Sequence, residues 1–190
     1  MPYKTWSEGY LIQAKQDFAL VKAVIEWRNI NASLQKDACQ YTFGASICML
    51  LQMFFEKYSK ACYCRWNHDQ PPPKKHKSVR LLISYLKRAN IAYYMMRPAH
   101  AGNLLSCYSI MEQLEDLQPA NAKGGGPEDT CPQLEYPWQM NSSLAGEYRI
   151  CTPATDLPIA RQIDDSSSRL LCVIVKFAER LLIDFDKLTS

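Results

Sequence analysis

Apolar side chains spaced by three and four residues recur along most of this 190-residue chain, and no other feature constrains its fold as strongly. The segment Thr5-Trp6-Ser7-Glu8 has the form of a capping box, in which a hydroxyl and a carboxylate bind the free amides at the start of a helix. The first predicted helix follows it to about Arg28. Its apolar stripe comprises Leu11, Ala14, Phe18, Val21 and Ile25.

The second predicted helix runs from about Asp37 to Arg65 and is apolar over a wide arc. One side carries Tyr41, Ala45, Cys48, Leu51, Phe55 and Tyr58, and a neighbouring side carries Ile47, Leu50, Phe54 and Ala61. A helix of this kind is normally central in a bundle or shared with a partner subunit. The sequence leaves both arrangements open.

Three further helices are predicted after the break at Pro71-Pro72-Pro73. The third begins at Ser78 and ends before Pro98, the fourth spans about residues 103–117, and the last runs from about Asp156 to Leu188. Residues 119–157 are rich in Gly and Pro and predict a long loop or insertion. We therefore expect one all-α domain over residues 1–190, an up-and-down bundle of four long helices plus a fifth.

Composition narrows the class of protein further. Hydrophobic residues make up 47% of the chain and charged residues 22%, which excludes a disordered tail, a collagen-like fibre and a histone-like protein. The longest apolar stretch, residues 47–55, is far too short for a membrane span. Since the N-terminus shows no export signal, we expect the eight cysteines to be reduced and the protein to be cytoplasmic, without membrane association.

The formal net charge of +3 conceals an uneven distribution. Residues 57–100 contain ten Lys and Arg side chains against the single acid Asp69, whereas residues 101–190 contain 7 basic and 13 acidic side chains. Such a cationic cluster attracts phosphate groups. We therefore predict that RNA or nucleotide phosphates are bound by Lys57, Lys60, Lys77, Arg80, Lys87 and Arg97. The alternative is that the basic third docks against the acidic final third, within one molecule or between two.

Arg97 and His100 form a candidate catalytic pair between the third and fourth predicted helices. A metal-independent ribonuclease needs an imidazole that moves a proton and a guanidinium that neutralises the charge on the phosphorane. Arg65 and His68 have the same spacing, and Trp66 between them offers a stacking surface. The alternative in both places is a polar loop or helix end. The His spacing fits no metal site, and no cofactor motif is present.

Three segments resemble the HEPN family of small all-helical bundles. The first is Phe55-Glu56-Lys57-Tyr58-Ser59-Lys60-Ala61, similar to the Glu-Lys-x-x-Lys-Ala pattern that ends an aromatic-rich helix in that family. The second is His76 followed by Leu81-Leu82, similar to the His-x-Leu segment that opens the next helix. The third is Glu135-Tyr136-Pro137-Trp138, similar to a segment before the last helix of some members.

The resemblance implies a bundle that is commonly a homodimer and that binds nucleotides or RNA, in many members as a ribonuclease of toxin–antitoxin or defence systems. Family members with activity place four to six residues between the Arg and the His, whereas two separate Arg97 from His100. Three hypotheses follow: a phosphate-binding bundle, a ribonuclease with an atypical Arg and His pair, and a protein-interaction module. In the third, the second helix contacts a partner such as a nucleotidyltransferase-like antitoxin.

Overall fold

A computed structural model describes residues 4–34, 43–72, 78–88, 101–117, 138–141, 148–165 and 168–189. The predicted all-α class is confirmed. The described elements in chain order are α1 (Trp6–Leu34), α2 (Gly44–Trp66), α3 (Ser78–Arg88), α4 (Ala101–Asp116), β1 (Trp138–Asn141), β2 (Tyr148–Cys151), α5 (Pro153–Asp156), α6 (Pro158–Asp164), α7 (Leu170–Ile183) and α8 (Phe185–Thr189). None of the helices among these residues combines the length and hydropathy that a membrane crossing requires.

Helix α2 lies at the centre of the described fold. Of its 23 residues, 13 are buried, and the helix packs against α1, α3, α4, α6 and α8. Its aromatic side chains pack against those of other helices in the core, since the ring centres of Phe54 and Phe18 lie 5.2 Å apart and those of Tyr58 and Phe185 lie 5.7 Å apart. The wide apolar arc therefore reflects a central position within one chain.

The start of α1 is fixed by two sets of hydrogen bonds. The predicted capping box is present, with the Glu8 amide donating to Thr5 Oγ1 over 3.1 Å and the Thr5 amide donating to Glu8 Oε2 over 2.9 Å. Asp69, just beyond the end of α2, accepts the amides of Trp6 and Ser7 over 3.0 and 2.9 Å. This carboxylate satisfies two of the amides that a helix start leaves without partners, and it joins α1 to the end of α2.

The start of α2 packs tightly against α6. The Phe43 amide donates to Asp164 Oδ1 over 3.1 Å, and Arg28 Nη1 from α1 donates to the Ile163 carbonyl over 3.1 Å. A Cβ atom on Gly44 would overlap the carbonyl oxygen of Ala160, so only glycine permits this approach. Arg28, Phe43 and Asp164 thereby join α1, α2 and α6 at one end of the fold.

The prediction of one long helix after Asp156 is wrong, because three shorter helices, α6, α7 and α8, follow this residue. Pro158 lacks an amide hydrogen and begins α6. Asp165 adopts an extended conformation after α6, and Ser168 Oγ accepts the Leu170 amide over 3.2 Å at the start of α7. Asp and Ser side chains compete for backbone groups in this way and so favour helix ends. Asp184 separates α7 from α8.

The sequence did not predict strands in the 119–157 loop, yet β1 and β2 form an antiparallel pair there, with Trp138 opposite Cys151. Residues 118–137 and 142–147 lie outside the described residues. So do residues 89–100, which include the predicted end of the third helix. The up-and-down arrangement of the bundle stays a prediction.

Candidate functional site

The structure describes four of the six predicted phosphate-binding residues, Lys57 and Lys60 on α2 and Arg80 and Lys87 on α3. Lys77, Arg97 and the proposed catalytic residue His100 lie outside the described residues, as does His76 of the resemblance to the HEPN family. The predicted Arg97 and His100 pair therefore stays a prediction.

Lys57 and Lys60 lie beside Glu56 at the contact between α1 and α2. Lys60 Nζ donates to Glu56 Oε1 and lies 5.9 Å from the centre of the Tyr10 ring, and Lys57 Nζ lies 3.6 Å from the same carboxylate oxygen. Asp17 of α1 is buried nearby, and burial raises the pKa of its carboxyl group against the opposing attraction of Lys57. These two lysines thus compensate acidic side chains inside the fold.

Arg80 and Lys87 on α3 face the acidic side chains of α4. Arg80 Nε lies 3.4 Å from Glu115 Oε2, and its Nη2 donates to Asp116. Lys87 Nζ lies 3.8 Å from Glu112 Oε1. The basic and acidic parts of the chain therefore meet here within one molecule, as the alternative interpretation of the charge distribution anticipates. A phosphate at this place would have to compete with three carboxylates.

Glu115 is the most deeply buried carboxylate of this group, at 2% exposure. Its Oε1 accepts the Val79 amide over 2.9 Å, so a side chain of α4 caps the start of α3. Burial raises the pKa of Glu115 to about 6, although the Val79 amide and Arg80 favour the ionised form. The geometry is that of a structural cap between two helices, because the carboxyl group is enclosed by α3.

Trp66 lies between the Arg and the His of the second candidate pair, and its side chain makes contacts within the chain. Its ring centre lies 4.1 Å from that of Tyr85, and its indole nitrogen donates to the Leu188 carbonyl over 3.2 Å. Arg65 and His68 are exposed at the end of α2. The indole is therefore engaged within the chain rather than presented as a stacking surface.

Metal and thiol chemistry find little support in the part of the chain that the structure describes. There, no three His, Cys, Asp or Glu side chains converge on a position that could hold a metal ion. The described cysteines are free thiols, and all but Cys172 are buried. Burial raises the pKa of Cys48 and Cys107 to about 12, which keeps both thiols protonated and unreactive at neutral pH.

The most distinctive surface in the described structure is the solvent side of α1. Beyond the buried stripe, a second series at spacings of three and four residues runs along the opposite side of this 29-residue helix. We call it the outer strip, and it comprises Gly9, Ile12, Gln16, Ala19, Leu20, Ala23, Trp27 and Ile30, all of them exposed. It contains no charged residue, and Leu20 and Trp27 are each 53% exposed.

Charged residues border the outer strip on one flank, the flank that faces α7. These residues are Glu8, Lys15, Lys22 and Glu26. Lys22 Nζ lies 3.9 Å from Glu179 Oε1 of α7, which shows that this flank lies beside α7. Between the two helices lies an open groove of about 470 Å³, lined by Lys22, Ile25, Glu26, Asn29, Ile30 and Val175.

The outer strip was not predicted from the sequence, because only one apolar stripe was followed along the first helix. The signal was present, since positions 9, 12, 16, 19, 23, 27 and 30 follow the spacing of three and four residues as regularly as the buried stripe does. What the sequence could not decide is which of two apolar faces the core would cover.

Comparison of the chain with family models, with curated proteins and with solved structures gives no match. The resemblance to the HEPN family therefore rests on the short sequence segments alone, and membership of that family stays a prediction.

Proposed function

We propose that this chain is a helical protein-interaction module that binds another protein through the outer strip of α1. The observation that carries the proposal is that α1 has a second series of mainly apolar residues on its solvent side, and that Ile12, Leu20 and Trp27 of this series are 39%, 53% and 53% exposed among the residues that the structure describes. The interaction module considered from the sequence used the second helix, but the apolar residues of α2 are largely committed to the core.

The composition of the outer strip supports an interface. Soluble proteins seldom expose long contiguous apolar surfaces, and such surfaces commonly mark sites of protein association. Trp is enriched among residues that dominate binding energy, whereas charged residues are depleted at interface centres. Leu20 matches this pattern, since it combines a large apolar side chain with 53% exposure. Trp27 is equally exposed, although its ring also packs edge-on against Phe43 over 5.0 Å.

Gly9 supports the same conclusion from the backbone. A glycine within a helix costs about 1 kcal/mol relative to alanine. A Cβ atom at position 9 would meet no atom of the described residues within 4 Å, so packing among these residues does not require the glycine. Close approach of a second backbone would account for it.

Binding of RNA or nucleotide phosphates through the basic residues, in a toxin–antitoxin or defence system, remains the second candidate. What favours it is the exposure of Arg80 and Lys87, whose side chains are 43% and 51% accessible on α3. Their carboxylate neighbours on α4 count against it, and we rank it below the interaction module. For either function we propose a cytoplasmic location, because buried free thiols suit a reducing compartment.

A photocrosslinking amino acid at two positions tests the proposal in the organism that encodes the chain. Ala23 places it in the outer strip, and Ser84, an exposed position beside Arg80 and Lys87, serves as the matched control. We expect irradiation to give discrete protein adducts from position 23 and none from position 84. No adduct from position 23, or equal protein adducts from both, would contradict the interaction module. An RNase-sensitive adduct from position 84 would instead support phosphate binding by α3.

A further inference from the structure

We propose that a proton on Asp17 controls the docking of α1 on α2, and that α1 opens as a separate unit more readily once this proton is lost. This control is independent of the partner that binds the outer strip. It follows from the way in which α1 is attached, from the small apolar content of its buried side, and from a carboxyl group enclosed at the centre of that side.

Helix α1 packs extensively on only one of the described elements, which is α2. Its contacts with α6 and α7 are polar and local. Arg28 Nη1 lies 4.0 Å from Asp164 Oδ1 of α6, and Lys22 Nζ lies 3.9 Å from Glu179 Oε1 of α7. Separating α1 from α2 would therefore break one extensive interface and leave the contacts among the other described helices in place.

The buried side of α1 contains few apolar residues for a helix of 29 residues. Among its described side chains, the fully buried apolar ones are Ala14, Phe18 and Val21. The ring of Phe18 packs on that of Phe54 of α2, with 5.2 Å between the ring centres. An element with few buried apolar contacts opens at a lower free energy than the rest of a core.

Asp17 lies between these apolar residues and is only 7% exposed. Among the described residues, no donor lies within hydrogen-bond distance of its Oδ2. Moving an ionised carboxylate out of water is costly unless hydrogen-bond donors replace the water. The site therefore favours the neutral carboxyl group, and burial raises the pKa of Asp17 above its ordinary value.

The charged groups that act on Asp17 from α2 are Lys57 and Glu56. Lys57 lowers the pKa of Asp17 and Glu56 raises it, and burial outweighs both. Lys57 Nζ lies 3.6 Å from Glu56 Oε1, which also accepts a hydrogen bond from Lys60, so Lys57 is shared with a second carboxylate. The charged contacts of α1 with α6 and α7 lie more than one helical turn further along α1.

The direction of the pH effect follows from the two forms of the contact. When α1 opens, Asp17 reaches water and its pKa returns to about the ordinary value, so the open form binds the proton less tightly than the docked form. Docking is therefore strongest below this ordinary value, which is 3.8, and weakens as the pH rises through the raised pKa. Opening would uncover the side of Phe54 that Phe18 covers, so pH sets how often this apolar surface is available.

Hydrogen–deuterium exchange of the full chain at pH 4 and pH 7, corrected for the intrinsic exchange rates, tests the proposal. For each unit by which the pKa of Asp17 is raised, the protection of α1 peptides should fall by up to about tenfold between these pH values. Asp17→Asn keeps the shape of the side chain but cannot ionise, so it should remove this fall. Glu26→Gln changes an exposed carboxylate of the same helix and should retain it.

The difference between the wild type and Asp17→Asn isolates the effect of this one group, because Glu115 is present in both proteins. We expect the difference to be confined to the contact of α1, with α7 peptides equally protected in the two proteins at each pH. The same pH dependence of α1 in both proteins would overturn the role of Asp17. A difference of equal size in α7 would mean that α1 opens only together with the whole core, and it would overturn opening as a separate unit.

Titration of the Asp17 carboxyl group by nuclear magnetic resonance measures the proton directly in the wild-type chain. Its midpoint should lie above 3.8. Lys57→Met should raise the midpoint further, since the variant removes the attraction that favours the ionised form. A wild-type midpoint at or below 3.8 would show that the docked form does not hold the proton, and the proposal would be refuted.

Discussion

At the scale of single residues, hydrogen bonds between neighbours in sequence were predictable and those between distant residues were not. The capping box of Thr5 and Glu8 follows from a spacing of three residues. Asp69 caps the same helix from 62 residues beyond Ser7, and Glu115 caps α3 from a different helix. Any acidic residue could have taken these places, because only the packing of the helices decides which carboxylate reaches a helix start.

Glu115 gives a pH-dependent contribution to stability whose sign follows from its raised pKa. The carboxyl group has a pKa of about 6 in the fold against a reference value of 4.5, with Arg80 and Asp116 as its charged neighbours. The folded state therefore binds the proton more tightly than the unfolded state. As the pH rises from about 4.5 to about 6, this group lowers the free energy of unfolding by roughly 1–2 kcal/mol.

The variant Glu115→Gln isolates this contribution, because it keeps an oxygen acceptor for the Val79 amide and cannot ionise. Urea denaturation of both proteins at pH 4.5 and pH 7 should show that the wild type loses stability relative to the variant over this interval, by about 1–2 kcal/mol. An unchanged difference between the two proteins at both pH values would show that burial does not raise the pKa of Glu115.

At the scale of elements, the sequence predicted which residues of a helix are buried better than it predicted where one helix ends and the next begins. Ala14, Phe18 and Val21 of α1 are buried as expected. The last predicted helix was drawn through Asp165 and Asp184, since its apolar spacing continues across both. The spacing of apolar residues indicates which side of a helix is buried. It does not reveal a short break between two helices when the apolar spacing continues on the far side of the break.

Because α2 and α6 are in close contact, replacing Gly44 by alanine should have the opposite effect on stability from replacing Gly9. In Gly44→Ala, the new Cβ would overlap the Ala160 carbonyl and lie 2.7 Å from Asp164 Oδ2, so the helices must separate. We expect the free energy of unfolding to fall by about 2–3 kcal/mol. Gly9→Ala is the matched control, because its Cβ meets open space and should add about 0.5–1 kcal/mol of helix stability.

Urea denaturation followed by circular dichroism measures both changes. If Gly44→Ala cost no more than a few tenths of a kcal/mol, the close contact between α2 and α6 would be refuted.

At the scale of the whole molecule, the sequence revealed the separation of charge but not its consequence. The ten cations of residues 57–100 pointed to a phosphate surface. In the structure, Arg80 and Lys87 lie against Glu112, Glu115 and Asp116, the arrangement that the alternative interpretation of the charges anticipates, and phosphate binding stays a prediction. Net charge along a sequence does not specify which charges meet after folding, because α3 and α4 could have been separated by other elements.

The expected single domain can be tested through the cysteines. Cys48, Cys62 and Cys107 belong to one hydrophobic cluster that joins α2 and α4, whereas Cys172 is exposed on α7. In one cooperative domain, buried thiols become accessible only when the entire core opens. Alkylation followed by peptide mass spectrometry should therefore label Cys172 within minutes in the native protein and the three buried cysteines only in urea.

The urea dependence of this labelling decides whether the core is one unit. The midpoints for Cys48, Cys62 and Cys107 should coincide with each other and with the loss of helical circular dichroism, since the burial that protects them is shared. Cys172→Ser should remove the rapidly labelled peptide and leave these midpoints unchanged, because its side chain lies outside the core. A lower midpoint for Cys107 than for Cys48 would mean that α4 separates from α2 before the rest unfolds, and the chain would then contain more than one cooperative unit.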